Sequence, residues 1–567
     1  VNDVAMTVLP DAPIDPATGL PVPTIAVATA GGVSVIKDDG TVVDIVVAGI
    51  AMNNVALRGN RIAYGFSASS TVHVGYIPDA DLSGNPPSGF FEYKNNTPLT
   101  IGNSNAKLLS FLDYELCVGD AGSYGVDLGM TLIHENEDTR LNGMAAVTTS
   151  TYNTGWMNGD IKGAFLADTD DTDLVEGANN LIPSPTDITG AGWSSQLSIT
   201  VHDADEFSFG EQYSNRRVVF SLTLKPATAY LLKMDVQNIS GNTNLHLFHE
   251  SALFPSNTSP ITIDGTLKTY EALVTSSGNG SLNVGLQDRN TSGFGRVRLT
   301  NVSLTEVVSD RSVNNNGLIV NGTVTRSPVA TGAELVAYSG FSASNYLEQP
   351  YNADLDFGTG DFCVMGWVKG TKANNDVLLE RREAAYTGSR IYVGLLTTSV
   401  MRAILGTATQ FDSAAIIPAN VWTYFALVRS AGTLYWYVNG QVSASIADST
   451  NVSNASAVLR VGSAANGLNV ADQSSLALLR ISATAPTAEQ IKKIYEDEKV
   501  LFQENAAATL YGASDAVTAL AHDSDTGLLH VGTSAGRSVF QGLRRVSNTT
   551  TAVGTAISAS GGLVVEE

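Results

Sequence analysis

A short segment near the start of the chain recurs near its end. Ile25-Ala-Val-Ala-Thr-Ala-Gly-Gly-Val-Ser-Val-Ile36 aligns without gaps with Leu529-His-Val-Gly-Thr-Ser-Ala-Gly-Arg-Ser-Val-Phe540. Each copy has an apolar strand, a turn of small residues and a second apolar strand. A repeat at both termini predicts that the two ends of the chain fold together, and that the residues between them are inserted through a loop.

Looser copies follow the first one, at 61–74 and 115–126, and a further copy is suspected at 144–166. Small sheets that recur in this way are typical of β-propeller blades, because such a sheet buries both faces against its neighbours and is not stable alone. Unrelated hairpins that share Gly-Ser turns are the alternative. We therefore predict propeller-like blades over residues 1–178 and a closing segment of the same domain over 503–567.

Composition restricts the class of protein. At 567 residues the chain is too long for one core, and roughly 150 residues per domain gives about three or four domains. Its 43% hydrophobic and 15% charged residues are typical of a folded β protein. A net charge of −23 repels polyphosphate, so no nucleic-acid partner is expected. No uncharged apolar run reaches the ~18 residues that span a bilayer, so membrane insertion is not expected either.

The chain begins at Val1, and no signal peptide precedes that residue. Two explanations stay open. The chain is a fragment or processed product of a longer protein, or an N-terminal anchoring region is missing.

Residues 179–310 alternate like the strands of a β-sandwich, with apolar side chains at every second position of 218–224. Three motifs stand out: Asn180-Leu-Ile followed by Gly192-Trp193, Phe220-Ser-Leu-Thr-Leu-Lys-Pro, and Val302-Ser-Leu-Thr-Glu-Val. In these motifs the segment resembles the jelly-roll carbohydrate-binding modules of the CenC type. The resemblance implies a jelly roll that presents a sugar-binding surface.

Residues 311–485 predict a second sandwich. Its strands are Asp361-Phe-Cys-Val-Met-Gly-Trp-Val, Trp422-Thr-Tyr-Phe-Ala-Leu-Val-Arg, Leu434-Tyr-Trp-Tyr-Val and Leu476-Ala-Leu-Leu-Arg-Ile. Asn439-Gly440 marks a hairpin turn. In this order the strands resemble the concanavalin A-like, laminin G-like family, which implies the fold more than the function.

A helix is predicted over 486–502, between the second sandwich and the closing segment. Thr487 and Gln490 form a capping box behind Pro486, and Ile491 and Ile494 continue the period of a helix. The helix would carry the chain out of the sandwich and back to the blades.

Other stretches, at 154–168, 502–505, 518–540 and 561–565, are similar to appendage proteins of tailed bacteriophages that carry a laminin G-like domain. The resemblance implies an all-β virion appendage of the tail-fibre type, located on the virion surface or outside the cell. Its partners would be a host cell-surface glycan and other virion proteins. By analogy with phage fibres the chain would form a homo-oligomer, a trimer.

A β-sandwich binds a sugar with a flat aromatic ring against the C–H face of the pyranose, and with amides, carboxylates or arginines for the hydroxyls. The jelly-roll candidates for glycan binding are Trp193, Tyr213, Arg216, Asn244, Gln287 and Arg289. Trp193 fits a core tryptophan equally well. The candidates in the second sandwich are Tyr346, Tyr351, Arg382, Tyr386 and Arg390, which fall where loops are expected.

No metal-binding pattern is convincing. The acidic run Asp168-Thr-Asp-Asp-Thr-Asp lacks the Gly and the terminal Glu of a helix-loop-helix calcium site, and is expected to be a solvated linker. His246-Leu-Phe-His alternates as a strand, which separates the two histidines onto opposite faces. Jelly rolls of the CenC type often hold a structural calcium ion, so the resemblance allows one here without assigning its ligands. No other cofactor is expected.

Three functions stay open. We expect an appendage that binds host-surface glycan and is not an enzyme. A purely structural decoration, or a subunit of an extracellular filament without glycan binding, is the second. A polysaccharide depolymerase is the third, and it would need two carboxylates about 5 to 9 Å apart in an open cleft.

Overall fold

The computed structural model describes residues 1–47, 49–66, 71–88, 90–94, 107–112, 115–120, 129–135, 142–177, 180–182, 186–190, 192–196, 199–209, 216–224, 229–241, 245–249, 258–260, 265–276, 281–288, 295–371, 375–383 and 385–567. Within these ranges the chain is all-β, as predicted, and its sheets are almost entirely antiparallel.

Three small sheets come first along the chain. Their strands are β1 (Asp3–Thr7), β2 (Thr24–Thr29), β3 (Gly32–Ile36), β4 (Val42–Val46), β5 (Met52–Arg58), β6 (Arg61–Phe66), β7 (Thr71–Tyr76), β8 (Leu82–Ser83), β9 (Phe91–Lys94), β10 (Lys107–Phe111), β11 (Glu115–Asp120), β12 (Gly129–His134), β13 (Met144–Thr148) and β14 (Met157–Asn158). Sheet 1 has the order β1-β2-β3-β4-β8, sheet 2 the order β5-β6-β7-β9, and sheet 3 the order β10-β11-β12-β13-β14.

The next two strands, β15 (Ile161–Phe165) and β16 (Leu174–Val175), pair with strands of the second sandwich. The suspected repeat copy at 144–166 is therefore divided between two different sheets. Its first strands complete sheet 3, and its last strand extends a sheet of the sandwich.

The predicted jelly roll is a sandwich of two five-stranded sheets. Its strands are β17 (Trp193–Gln196), β18 (Ile199–Val201), β19 (Glu206–Phe209), β20 (Arg216–Thr223), β21 (Ala229–Ser240), β22 (Leu245–His249), β23 (Thr258–Pro260), β24 (Lys268–Thr275), β25 (Ser281–Asp288) and β26 (Arg296–Glu306). The sheet orders are β17-β20-β25-β22-β23 and β18-β19-β26-β21-β24. Alternating apolar residues such as Val218, Phe220 and Leu232 meet in one core between the sheets, as the period-two pattern predicts.

The second sandwich is larger. Its strands are β27 (Ile319–Asn321), β28 (Thr323–Pro328), β29 (Val336–Ser339), β30 (Tyr346–Gln349), β31 (Phe362–Gly370), β32 (Asp376–Arg382), β33 (Ile391–Leu395), β34 (Met401–Leu405), β35 (Thr409–Asp412), β36 (Thr423–Ser430), β37 (Thr433–Val438), β38 (Gln441–Ala447), β39 (Val458–Val461) and β40 (Ser474–Ser482). A seven-stranded sheet, β27-β30-β39-β32-β33-β34-β35, packs on a nine-stranded one, β16-β28-β29-β40-β31-β36-β37-β38 with β15 beside β40. The predicted turn between β37 and β38 has φ 47° at Asn439 and 77° at Gly440, the two positive values that a tight hairpin requires.

The helix α1 (Ala488–Glu498) follows the second sandwich, and a 3₁₀ turn continues it over Lys499–Phe502. The predicted capping box is present. The Thr487 hydroxyl accepts a hydrogen bond from the Gln490 backbone N–H, and the Gln490 side chain accepts one from the Thr487 N–H.

The last strands are β41 (Val517–Asp523), β42 (Leu528–Thr533), β43 (Gly536–Gln541), β44 (Arg544–Asn548), β45 (Ile557–Ser560) and β46 (Leu563–Glu566). The strands β41 to β44 form sheet 4, and β45 pairs with β46. Sheet 1 packs on sheet 2, sheet 2 on sheet 3, sheet 3 on sheet 4 through β10 and β41, and sheet 4 on the β45–β46 hairpin. The C-terminal strands thus return to the N-terminal sheets, as the repeat predicts. Closure of the series into a propeller ring stays a prediction.

The two repeat copies form equivalent hairpins. The β2–β3 hairpin pairs Thr29 with Gly32, and the β42–β43 hairpin pairs Thr533 with Gly536. In each, the threonine hydroxyl donates to the glycine carbonyl, at 3.1 and 3.3 Å. The glycines have φ 139° and 144°, and a Cβ on either would collide with a backbone carbonyl oxygen of a neighbouring segment. The shared Thr and Gly are therefore the residues that this turn needs.

A buried ion pair joins the helix, the second sandwich and the segment before β14. Arg480 of β40 pairs with Glu498 at the end of α1, and both side chains are fully buried. Glu498 also accepts hydrogen bonds from the Trp156 backbone N–H (2.9 Å) and the Trp367 indole N–H (2.8 Å). Because the donors come from three separate parts of the chain, this carboxylate holds the parts together.

Candidate functional site

Many charged and aromatic side chains of the second sandwich lie on one face of its seven-stranded sheet. Leu347, Leu379 and Val393 point from that sheet into the core. Because side chains alternate along a strand, their neighbours point to the opposite face. We call this face the outer face, and its members are Tyr346, Glu348, Glu380, Arg382, Tyr392, Arg402, Asp412 and Arg460.

A row of charged and aromatic side chains crosses the middle of the outer face. Backbone pairing places Glu348 opposite Arg460, Arg460 opposite Glu380, and Glu380 opposite Tyr392. Arg460 donates to Glu348 at 2.6 Å, and Arg390 donates to Glu380 at 3.4 Å. Both acids of the row are therefore held by arginines.

The loop 462–470 covers the middle of this row. Ala464 packs with Val377 and Tyr392, and the Ala465 N–H donates to Glu380 at 2.8 Å. Burial, together with the nearby charge of Glu380, raises the pKa of Tyr392 to about 12. The centre of the outer face is closed in this way, and the more accessible side chains lie toward its two ends.

Arginine and tyrosine side chains contact each other at one end of the outer face. The guanidinium carbon of Arg382 lies 3.7 Å from the centre of the Tyr386 ring, and that of Arg390 lies 5.9 Å from the same ring. Arg390 is also 6.0 Å from the ring of Tyr392. These are cation–π distances. We call Arg382, Tyr386, Arg390 and Tyr392 the arginine–tyrosine cluster.

The Tyr386 backbone is in an unusual conformation. Its φ of 59° lies in the left-handed region, which residues with a Cβ seldom adopt. The turn is held by the Tyr386 N–H, which donates to the Glu383 carbonyl at 2.9 Å, and by the Thr387 hydroxyl, which donates to the Glu383 carboxylate at 2.6 Å. Such strain costs on the order of 1 kcal/mol or more and tends to occur at binding sites. Here it presents a partly exposed aromatic ring.

Tyr346 lies at the other end of the outer face, with the Arg460 guanidinium 4.3 Å from its ring centre. Along β39, Val458 pairs with Arg382 and Val461 pairs with Leu347. Tyr346 lies one residue beyond Leu347, level with the fourth residue after Val458, so it is roughly 13 Å from Arg382 along the strand direction. Tyr346 therefore belongs to the same face but not to the cluster.

Two of the predicted residues are not in loops. Tyr346 lies within β30 and Arg382 within β32, whereas Tyr386 and Arg390 lie between β32 and β33, as predicted. The loop assignment of Tyr346 and Arg382 is wrong. Both point outward from a short strand, and outward-facing polar residues interrupt its apolar pattern so that it resembles a loop in sequence. Arg460 belongs to the face although no motif marks it, and its alternation with apolar neighbours in β39 was the available signal.

Tyr351 lies apart from the cluster. Its hydroxyl donates to the Asp356 carboxylate at 2.7 Å, and Asp356 also bonds Arg381 at 2.6 Å. Arg381 is buried and alternates with the outward residues of β32, so it faces the core side. The ring of Tyr351 is exposed but is not part of an aromatic platform.

The jelly-roll candidates are less fully described. Gln287 pairs with Arg217 and with His246 in a row turned away from the core. The Trp193 ring packs edge-on against Phe220 at 5.4 Å, beside the core, which agrees with the alternative that Trp193 is a core tryptophan. Tyr213, Asn244, Arg289 and the side chain of Arg216 lie outside the described residues.

The acidic run at 168–173 contacts arginines. Asp168 accepts hydrogen bonds from Arg311 (2.5 Å) and from the Tyr338 hydroxyl (2.8 Å), and Asp170 pairs with Arg326 at 2.8 Å. Among the described residues no group of three or more His, Cys, Asp or Glu side chains could hold a metal ion. In the same ranges no helix is long and apolar enough to cross a bilayer.

Asp376 opens β32 and lies between the two sheets of the second sandwich. Its Oδ2 accepts a hydrogen bond from the Ser474 hydroxyl at 2.5 Å, while within the described part of the chain its buried Oδ1 has no partner. Burial, with a smaller contribution from the charge of Asp472, raises its pKa from 3.8 to about 6.

We expect Asp376 to make the sandwich more stable at low pH. An acid whose pKa is higher in the folded state destabilises that state above the folded pKa, and the cost disappears as the pH falls through about 6 toward 4. Asp376→Asn removes the charge and is expected to add about 1 kcal/mol of unfolding free energy near pH 7.5 and none near pH 4. Urea unfolding at both pH values measures this. Asp354→Asn, at an exposed position, is the control, and an equal gain at both pH values would contradict the assignment.

The second sandwich matches a known family. Residues 341–492 match the model of the concanavalin A-like lectin/glucanases superfamily, in its laminin G form. A comparison with curated proteins finds no match.

Solved structures that are similar to parts of this chain include the following three. One is domain 4 of the extracellular arabinanase AbnA from Geobacillus stearothermophilus in complex with arabinotriose, at 19% identity over 33% of this chain and 92% of that chain, with a TM-score of 0.27. Another is the CBM40 module of a Ruminococcus gnavus IT-sialidase bound to alpha2,3 sialyllactose, at 10% identity over 26% and 92%, with a TM-score of 0.23. A third is a heptameric SAP-like pentraxin from Limulus polyphemus, at 14% identity over 24% and 70%, with a TM-score of 0.21.

The chain is thus an all-β protein of several sandwich sheets, and its residues 341–492 match the concanavalin A-like, laminin G-type family model.

Proposed function

We propose that this chain is an appendage protein of the tail-fibre type, located on a virion surface or outside the cell, whose sandwiches bind host-surface glycan. The arginine–tyrosine cluster carries the glycan part of the proposal. A partly exposed Tyr386 offers a flat ring to the C–H face of a pyranose, and Arg382 and Arg390 offer donors beside it. The match of residues 341–492 to a superfamily of lectins and glucanases supports a glycan as the ligand class.

The tail-fibre part of the proposal rests on the sequence. The stretches at 154–168, 502–505, 518–540 and 561–565 resemble phage appendage proteins. One shallow sugar site is worth only about 4 to 5 kcal/mol, a dissociation constant near millimolar. Attachment therefore requires several sites acting together, and we propose a homotrimer that also contacts other virion proteins.

The carboxylates of the outer face support binding rather than catalysis. Glu348, Glu380 and Asp412 each bond an arginine, and Asp412 bonds Arg402 through two contacts of 2.7 and 2.6 Å. Glycoside hydrolysis needs two carboxylates that are free to act on the sugar, whereas each of these three is engaged by an arginine. We therefore expect no release of reducing ends when the protein is incubated with host capsule. Release at a rate proportional to protein concentration would favour a depolymerase.

Tyr386→Ala is expected to weaken glycan binding about tenfold, because the loss of a stacked ring costs on the order of 1 kcal/mol or more. The measurement is binding of the intact chain to immobilised glycans, first on an array to find a ligand and then by titration. Tyr351→Ala is the matched control, since it removes an exposed tyrosine of the same sandwich that lies off the cluster.

Two results would contradict the proposal. If the intact chain binds no glycan on a densely immobilised array, which compensates for weak single sites, glycan binding is excluded. If Tyr351→Ala weakens binding as much as Tyr386→Ala, the cluster is not the binding site.

A further inference from the structure

We infer that the arginine–tyrosine cluster takes an acidic sugar, one that carries a carboxylate or sulfate group, and that Arg382 bonds the acidic group. The inference rests on the proposed function, because it names the class of glycan for the same site. It follows from the contacts of one guanidinium group, that of Arg382.

Arg382 differs from the other arginines of this region. The others are paired with acids, Arg390 with Glu380, Arg402 with Asp412 and Arg460 with Glu348. Arg382 forms no ion pair with any described residue. Its contacts are the Tyr386 ring and a 3.4 Å hydrogen bond from Nε to the Thr387 carbonyl oxygen.

The lack of an ion pair with any described residue is unusual because Arg382 is buried. The residue is only 9% exposed, and arginines buried to this degree are normally paired because an unpaired charge away from water is costly. The two terminal nitrogens of Arg382 have no acceptor among the described residues and are not sealed from solvent. They form a planar fork of donors, the arrangement that matches two oxygens of a carboxylate or sulfate group.

The nearest acid in sequence does not neutralise this fork. The Glu383 carboxylate accepts the Thr387 hydroxyl at 2.6 Å, within its own turn. The Tyr386 ring lies against the guanidinium, with the strained backbone described above holding the ring in place. A sugar stacked on the exposed part of that ring would bring an acidic substituent within reach of Arg382.

The test compares acidic and neutral glycans on the full-length chain. Sialylated, uronic-acid-containing and sulfated glycans are immobilised beside neutral glycans of the same backbone. The wild-type chain should prefer the acidic set, and the preference should weaken as salt rises. Arg382→Gln should lose acidic binding at least about tenfold, and with it the preference for acidic over neutral glycans, because charge-assisted hydrogen bonds are the stronger ones. Arg544→Gln, on sheet 4, is the control of equal charge change.

The outcomes separate this inference from the proposed function. A chain that binds neutral glycans without an acidic preference keeps the proposed function and overturns the inference, and a chain that binds neither set overturns both. If an Arg382→Gln variant melts like wild type and keeps the acidic preference, Arg382 does not bond the acidic group. If that variant does not fold, Arg382→Lys decides. It keeps the charge but not the fork, so it should retain the acidic preference with lower affinity, and unchanged affinity would contradict the inference.

Discussion

Glu498→Ala is expected to lower the free energy of unfolding by about 3 to 5 kcal/mol, because Arg480 then stays buried with its charge unpaired. Both side chains are 0% exposed. The same substitution removes the acceptor of the Trp156 backbone N–H and of the Trp367 indole N–H. Urea unfolding followed by tryptophan fluorescence measures the loss, since both tryptophans contact the carboxylate.

Glu496→Ala on the same helix is the control. Glu496 pairs with Lys499 at a surface where both side chains are about half exposed, and pairs of that kind contribute about 0 to 1 kcal/mol. The double variant Arg480→Met with Glu498→Leu should recover part of the loss, because it leaves no unpaired charge. If Glu498→Ala is as mild as Glu496→Ala, the ion pair does not hold the helix to the sandwich.

Gly536→Ala is expected to destabilise sheet 4 by about 3 kcal/mol. Its φ of 144° is essentially restricted to glycine, and the added Cβ would collide with the Thr549 carbonyl oxygen. Hydrogen exchange of the β42–β43 hairpin measures the effect locally, and faster exchange over residues 528–541 is the expected result.

Gly542→Asn in the same sheet is the matched control. Gly542 has φ 59°, which asparagine tolerates, and a Cβ there would contact nothing within 4 Å. Gly32→Ala should have the same effect in sheet 1 as Gly536→Ala has in sheet 4, because the two hairpins are equivalent. If either glycine tolerates alanine, the geometry of the turn does not explain why both copies of the repeat carry glycine at this position.

The features predicted from sequence are those that depend on neighbours along the chain. The capping box of Thr487 and Gln490 needs residues three apart, and the Asn439–Gly440 turn needs residues that accept positive φ. Alternation of apolar residues predicts which face of a strand is buried, and Trp367 and Trp436, which lie in two of the predicted strands, are buried. The terminal repeat predicts equivalent hairpins because the same turn geometry requires the same Thr and Gly.

The composition of the outer face depends on strands that are far apart in sequence. Tyr346, Arg382 and Arg460 come from β30, β32 and β39, and only the pairing of these strands places them on one face. The same holds for β15, which resembles part of a blade in sequence but pairs with β40 of the sandwich. Strand pairing follows from burial summed over a whole sheet, which no local pattern encodes.

By itself the sequence determined the all-β class, the sandwich strands, the capped helix and the recurring hairpin, since these follow from alternation, capping and turn chemistry within a few residues. Only the tertiary structure decided which charges are paired. It placed Glu498 beside Arg480, and Glu348 beside Arg460, while it left Arg382 without an acid among the described residues. The reason is that an ion pair needs two side chains within about 4 Å, and folding sets that distance between residues that the sequence keeps far apart.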